Sequence, residues 1–309
     1  MNRTILIIAI AALFASGCST GDADTNSVDA AYVAEIEQWR TERLKALKAK
    51  DGYLNLAGLF WLEEGVTRFG SAEDNDIRFP MPAPAHLGEF ELTEDGVRMT
   101  LATDANVTID GEPVQSVLML DDTTGSPVTA TLGEMAWVVV NRAGKFGVRL
   151  RDFEHRALTE LPPIPFFDID PEWRVEAELR YFDEPRVMNV GTVIEGLGYN
   201  PVSPGVMVFT YAGVEYELEA YDVTEDLFFV FGDSTNRGDT YPAGRFLHAP
   251  FPDENGKTVL DFNKAYNPPC AFGDFSTCPV ASPRNRLSIR MEVGEKFIPE
   301  LHVSSLEKH

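Results

Sequence analysis

The segment DFNKAYNPPCAFGDFSTCPVASPRNRL, Asp261 to Leu287, gathers residue types able to do chemistry. It holds two of the chain's three cysteines, Cys270 and Cys278, together with Asn263, Asn267, Asn285 and a Pro-Pro pair. A cysteine pair this close closes a disulfide loop, stays as a reduced structural pair, or offers thiolate to a metal or a substrate. A metal needs two further ligands, and His248 is the only histidine near in sequence. A thiol nucleophile needs an adjacent base, which the spacing does not supply. An oxidising compartment favours the disulfide, and the first residues of the chain bear on that.

Upstream lie Asp233, Tyr241, Arg245 and His248, and within the segment Tyr266. Two readings of Arg245 compete. In the first it is buried and, since a buried charge needs a partner, anchors the Pro-Pro loop through Asp261. In the second it is a fork for a carboxylate or phosphate-like ligand, with Tyr241, Asp261, Asn263, Tyr266, Asn267 and Asn285 walling the pocket. Asp261, Asp233 or His248 could also act as acid or base in a metal-independent hydrolase or isomerase. The familiar reaction signatures G-x-S-x-G, H-E-x-x-H, G-x-x-x-x-G-K-[ST] and C-x-x-C do not occur. No cofactor or metal site is expected.

These residues need elements to hold them. MNRTILIIAIAALFASGC has a basic start, a short apolar run and small residues before Cys18, the pattern of a secretory signal over 1–17 cut ahead of a lipid-bearing cysteine. Membrane attachment through that lipid is expected, with the protein facing the periplasm of a bacterial envelope, on the outer membrane rather than the inner. Residues 18–28 read as a polar tether. Over 29–51 Tyr32, Ile36, Trp39, Leu44 and Leu47 recur near the helical period, with Asp29 as N-cap and Gly52 as stop, giving one amphipathic helix whose stripe should lie on the first folded domain.

Beyond Gly52 the chain alternates in short runs punctuated by Asp-Gly and Ala-Gly, the language of strands and turns. The fold class is therefore mainly β: two sandwich- or barrel-like units, 52–158 and 159–309, behind the N-terminal helix. The joint falls where prolines crowd, between Arg156 and Val175. Within the first unit, Phe69 to Leu92 is similar to forkhead-associated domains through Asn75-Asp76-Ile77 and His86, which implies a small β-sandwich. Ser71 stands where the phosphate-reading arginine would be, so phosphopeptide binding loses its charged donor.

The net charge of −23 repels phosphate backbones and anionic surfaces, so nucleic acid is excluded as a partner. A small molecule or an envelope partner is compatible with it; nothing in the sequence sets an oligomeric state.

Three phrases carry a family resemblance: Leu56-Ala57-Gly58-Leu59-Phe60-Trp61-Leu62; Thr240-Tyr241-Pro242-Ala243-Gly244-Arg245-Phe246-Leu247; and Asp261-Phe262-Asn263 through Tyr266-Asn267-Pro268-Pro269-Cys270 to Cys278-Pro279 and Asn285-Arg286-Leu287. From Trp39 to Phe297 the chain resembles the bacterial and archaeal family called domain of unknown function 1684. The resemblance implies a family membership and no activity.

Overall fold

The computed structural model describes residues 28–223 and 225–302. The signal segment 1–17 and Cys18 lie outside the described residues. No described helix is long and apolar enough to cross a membrane.

The helix spans Ala30–Lys48, with the Asp29 carboxylate accepting from the Ala31 N–H and Lys45 and Lys48 in the last turn, where cations suit the helix dipole. It stops before Gly52 because the chain folds back: the N–H groups of Tyr53 and Leu54 both donate to the Leu47 carbonyl. A Cβ on Gly52 would strike the Ala46 and Leu47 carbonyl oxygens, so the return is open only to glycine.

The first β unit is two facing sheets. Ile77–Arg78, Gly65–Gly70, Gly88–Thr93, Gly96–Leu101 and Ser116–Met119 form one, in that order. Leu56–Trp61, Lys145–Asp152, Met135–Arg142, Ala130–Leu132, Thr108–Ile109 and Glu112–Pro113 form the other. Strict alternation makes the core: Val97, Met99 and Leu101 point in while Arg98 and Thr100 point out. Phe69, Phe79, Phe90 and Trp137 meet between the sheets, Phe69 on Phe90 at 4.3 Å and Phe79 against Trp137 at 5.3 Å. This is a β-sandwich, as the patterning implies.

The second unit begins after the 3-10 turn Pro171–Trp173. Its four-stranded sheet runs Val214–Glu219, Val202–Tyr211, Arg174–Val187, Lys257–Asp261. A three-stranded sheet, Tyr221–Asp222, Leu227–Phe231 and Arg245–Ala249, packs against it through Leu179, Phe209, Phe229, Phe231 and Phe262. The other face of that small sheet carries Tyr221, Val230 and Phe246 and meets Cys270 and Cys278.

The helix does not lie on the first domain, as its position in the sequence suggests; it docks on the second. Only Ile36 and Leu47 are buried and Leu44 is 39% exposed, so the apolar stripe is too thin to direct the docking. Polar contacts direct it instead. Tyr32 Oη donates to Asp261 Oδ1 at 2.8 Å, Arg40 to the Phe167 carbonyl at 3.0 Å, and Arg43 to Glu295 at 3.1 Å and the Asn267 carbonyl at 2.9 Å. Leu47 and Leu54 then close a small apolar seam with Ala157, Ala271, Phe272 and Leu301 that draws both units together.

Candidate functional site

Arg245 is wholly buried at the start of its strand, but its partner is Asp233 and not Asp261. Arg245 Nη2 donates to Asp233 Oδ2 at 2.7 Å and to the Met291 carbonyl at 3.0 Å, and Nη1 to the Val293 carbonyl. Strand pairing explains the choice. Phe231 pairs with Arg245 and the chain turns at Asp233, which places that carboxylate beside the guanidinium. Asp233 also caps its turn by accepting from the Thr235 N–H at 2.8 Å.

Asp261 caps the turn Phe262–Lys264 by accepting from the Asn263 N–H and receives the Tyr32 hydroxyl. Asn263 Nδ2 reaches Tyr32 Oη and the Asp170 carbonyl, and its Oδ1 accepts from the Asp170 N–H. Asn267 is buried, its N–H on Glu295 Oε2 at 2.8 Å and its Nδ2 on the Lys296 carbonyl. Asn285 ties Glu219 to Val230 by accepting from the Glu219 N–H and donating to both carbonyls. Tyr241 packs edge-on to Phe297 at 5.1 Å. These side chains serve backbone groups and one another, while Asp261 Oδ2 and Asn267 Oδ1 stay buried without a hydrogen-bond partner.

His248 and Tyr266 differ. His248 is exposed, with Nδ1 2.9 Å from Asp226 Oδ1 and Nε2 2.8 Å from Tyr266 Oη. The tyrosine lies under the Arg43 guanidinium, 4.3 Å from its ring centroid. Burial pushes the Tyr266 phenol well above its ordinary range, more than Arg43 beside it pulls down, so it stays a donor toward the imidazole.

Cys270 and Cys278 are bonded as a disulfide with Cα atoms 6.2 Å apart. Their loop is one wall of a cavity of about 500 Å³, which also takes in Phe228 and Phe246 from the small sheet and Tyr199 from the hairpin Val190–Gly191/Gly198–Tyr199. The opposite wall belongs to the first unit: the hairpin Met135–Arg142/Lys145–Asp152, with Arg142 and Arg149. None of Tyr241, Arg245, Asp261, Asn263, Tyr266, Asn267 and Asn285 lines this space, though Pro269 and Ser276 to Pro279 of their segment do.

Register fixes the two arginines on one face. Arg149 sits opposite Val138, and Arg142 opposite Lys145, so Val138, Arg142, Lys145, Arg149 and Arg151 share the outer side while Trp137, Val139, Val148 and Leu150 enter the core. The three guanidiniums have different fates. Arg151 is taken up by Asn55 Oδ1 at 2.6 Å and the Asp51 and Gly52 carbonyls. Arg142 forms a fork with Asp122, 2.9 and 2.6 Å, and its Nε donates to Thr277 Oγ1 at 3.2 Å, joining the first unit to the disulfide loop. Burial pushes the Asp122 carboxyl up, but the Arg142 and Asn141 donors outweigh it and hold it below its usual value.

Arg149 has no such partner. No hydrogen-bond acceptor meets its Nε, and among the described residues no carboxylate pairs with it. Burial, and secondarily the neighbouring Arg142, bring its pKa down to about 10. Sequence reading passed over both arginines because it sought clusters and motifs. The signal was the alternation Val148-Arg149-Leu150-Arg151, which puts charge on a face that a second unit covers.

Among the described residues no group of three or more His, Cys, Asp and Glu side chains is placed to hold a metal ion.

A mainly β, two-unit chain with a helical strap and a disulfide-walled cleft is thus the class that fold and site define. Residues 159–296 match the family model described as protein of unknown function (DUF1684). The phrase Leu56 to Leu62 falls outside the matched span. Among solved structures the chain is similar to an uncharacterized protein from gene locus rrnAC0354 of Haloarcula marismortui, solved by solution NMR, at 27% identity over 46% of this chain and 80% of that one, with a TM-score of 0.38. Comparison with curated proteins yields no match.

Proposed function

We propose that the protein is a cell-envelope lipoprotein that binds a small molecule in the cleft between its two β units. The observation that supports this most is the cleft itself: about 500 Å³, aromatic on one side and cationic on the other. That size and mix suit a small-molecule site, where apolar walls supply affinity and few polar groups supply orientation. The disulfide and the Arg142–Thr277 bond brace the walls from both units, so the cleft is built before any ligand arrives.

Membrane attachment through Cys18 is part of the reading. The acidic net charge of −23 suits a body held off anionic headgroups by a tether. Replacing Cys18 by Ala should move the protein from the membrane fraction to the soluble periplasm; retention in the membrane counts against the anchor. Binding is tested by plugging the rim with Asn200→Trp, since Asn200 is exposed and lines the cleft. Small-molecule stabilisation seen by thermal shift in the parent should vanish in that variant, and its survival removes the cleft from the account.

A second reading rests on the chain Asp226–His248–Tyr266, which is the arrangement of an oriented imidazole. There the protein is a metal-independent hydrolase or isomerase with His248 as acid or base. Asp233 and Asp261 are less suited, being engaged by Arg245 and by Tyr32 with the Asn263 N–H. Turnover of an envelope substrate that persists in His248→Ala ends this reading.

A further inference from the structure

The residues lining the cleft include two arginines and no aspartate or glutamate. In a chain with 49 acidic against 26 basic side chains, a cationic lining is a local reversal of the overall charge. Arg142 does not carry that reversal, because Asp122 neutralises it in a two-bond fork. The surplus is the single charge of Arg149, set in the wall with its Nε unbonded. An arginine kept in such a place costs stability unless something completes it, since a buried charge without a partner is unfavourable. Among the described residues no hydrogen bond to its Nε and no ion pair does so, Asp122 acting on it only at longer range, and Arg149 borders both this cleft and a smaller cavity lined by Lys50, Asp51 and Arg151.

The remaining wall limits the rest of a ligand. Phe228 and Phe246 meet at 4.9 Å edge to face, and Pro269 and Pro279 add apolar surface that cannot donate. Asn141, Asn200 and Thr277 add neutral polar groups to the lining. One unmatched positive charge suits one negative charge. A dianion leaves the second charge to be desolvated without a cation.

Resting on the small-molecule reading above, we infer that the ligand is an organic monoanion, a carboxylate by preference, whose acid end takes the Arg149 guanidinium and whose apolar body lies on Phe228 and Phe246. The planar fork of arginine matches a carboxylate with two parallel hydrogen bonds. Arg149 is then a specificity-determining residue for charge.

The test titrates the full mature protein with 3-phenylpropanoate, its neutral amide 3-phenylpropanamide, and phenyl phosphate, using calorimetry. The acid is expected to bind about 10- to 100-fold more tightly than the amide, the span of a hydrogen bond to a charged group. Arg149→Met should erase that preference and Arg149→Lys should keep part of it. Equal binding of acid and amide in the parent overturns the inference while leaving the cleft as a neutral ligand site. Tighter binding of phenyl phosphate than of the acid overturns the single-charge assignment. Binding of none of the three overturns both the inference and the reading beneath it. Folding is controlled by the ligand-free thermal midpoint: Arg149→Met should match or exceed the parent, and a lower midpoint shows that Arg149 is held for structure instead.

Discussion

Arg245 and Asp233 face each other at 2.7 Å with neither side chain reaching solvent. Two backbone carbonyls, of Met291 and Val293, take the rest of the guanidinium, so the pair ties the small sheet to the segment that follows Leu287. Removing one partner strands the other, which costs about 3–5 kcal/mol, whereas an apolar pair of similar volume avoids the penalty. Asp233→Ala should therefore destabilise by about that amount in urea unfolding. The double variant Asp233→Leu with Arg245→Met should be less harmed than the single one; if it is the worse of the two, the pair has been misjudged.

The helical strap rests on Tyr32. Its hydroxyl joins Asp261 and Asn263, residues more than two hundred positions away in sequence. Tyr32→Phe should cost about 1–2 kcal/mol, because one half-buried donor to a carboxylate is lost while the Asp261 cap of the Asn263 N–H remains. Proteolysis after Gly52 should also accelerate in this variant, and an unchanged digestion pattern speaks against the hydroxyl as a latch.

Alkaline pH should loosen the same region. Burial pushes Tyr32 and Tyr266 upward from 10.0, the hydrogen bond to Asp261 adding to it at Tyr32. A phenol whose folded pKa is raised contributes stability that is fully present below 10 and is lost as the pH climbs from there toward the folded value. Stability should hold to about pH 9.5 and then fall, with Tyr32→Phe and Tyr266→Phe each flattening the fall. A transition of the parent that is flat above pH 10 contradicts this.

The disulfide should matter to stability and to the cleft. Closing so short a loop contributes about 2–3 kcal/mol by the chain-entropy argument. Ser276 to Pro279 form one wall of the cleft, so Cys270→Ser with Cys278→Ser should lower both the unfolding midpoint in urea and ligand-induced stabilisation. Loss of stability with ligand stabilisation intact separates the two roles.

How much of this was written in the sequence differs by element. Alternation in runs such as Gly96–Leu101 reveals a half-buried strand directly, since it depends on neighbours two residues apart. Arg245 was recognisable as a buried charge, and the cysteines as a pair. Which carboxylate serves Arg245 was not, because Asp233 and Asp261 are similarly near in sequence and strand register decides between them. The docking of the helix was hidden for a stronger reason. Glu295 and Asp261, which receive Arg43 and Tyr32, come more than two hundred residues later, so no local pattern carries the information. Arg149 reads as an ordinary strand charge until the second unit is known to cover its face.

A small molecule held in the cleft between hairpin and disulfide loop is what the proposed function requires. Native mass spectrometry of the mature protein purified without reductant, compared with Asn200→Trp, tests it most directly. A co-purified mass is expected on the parent and not on the plugged variant. A parent that flies bare, or the same added mass on both proteins, contradicts it.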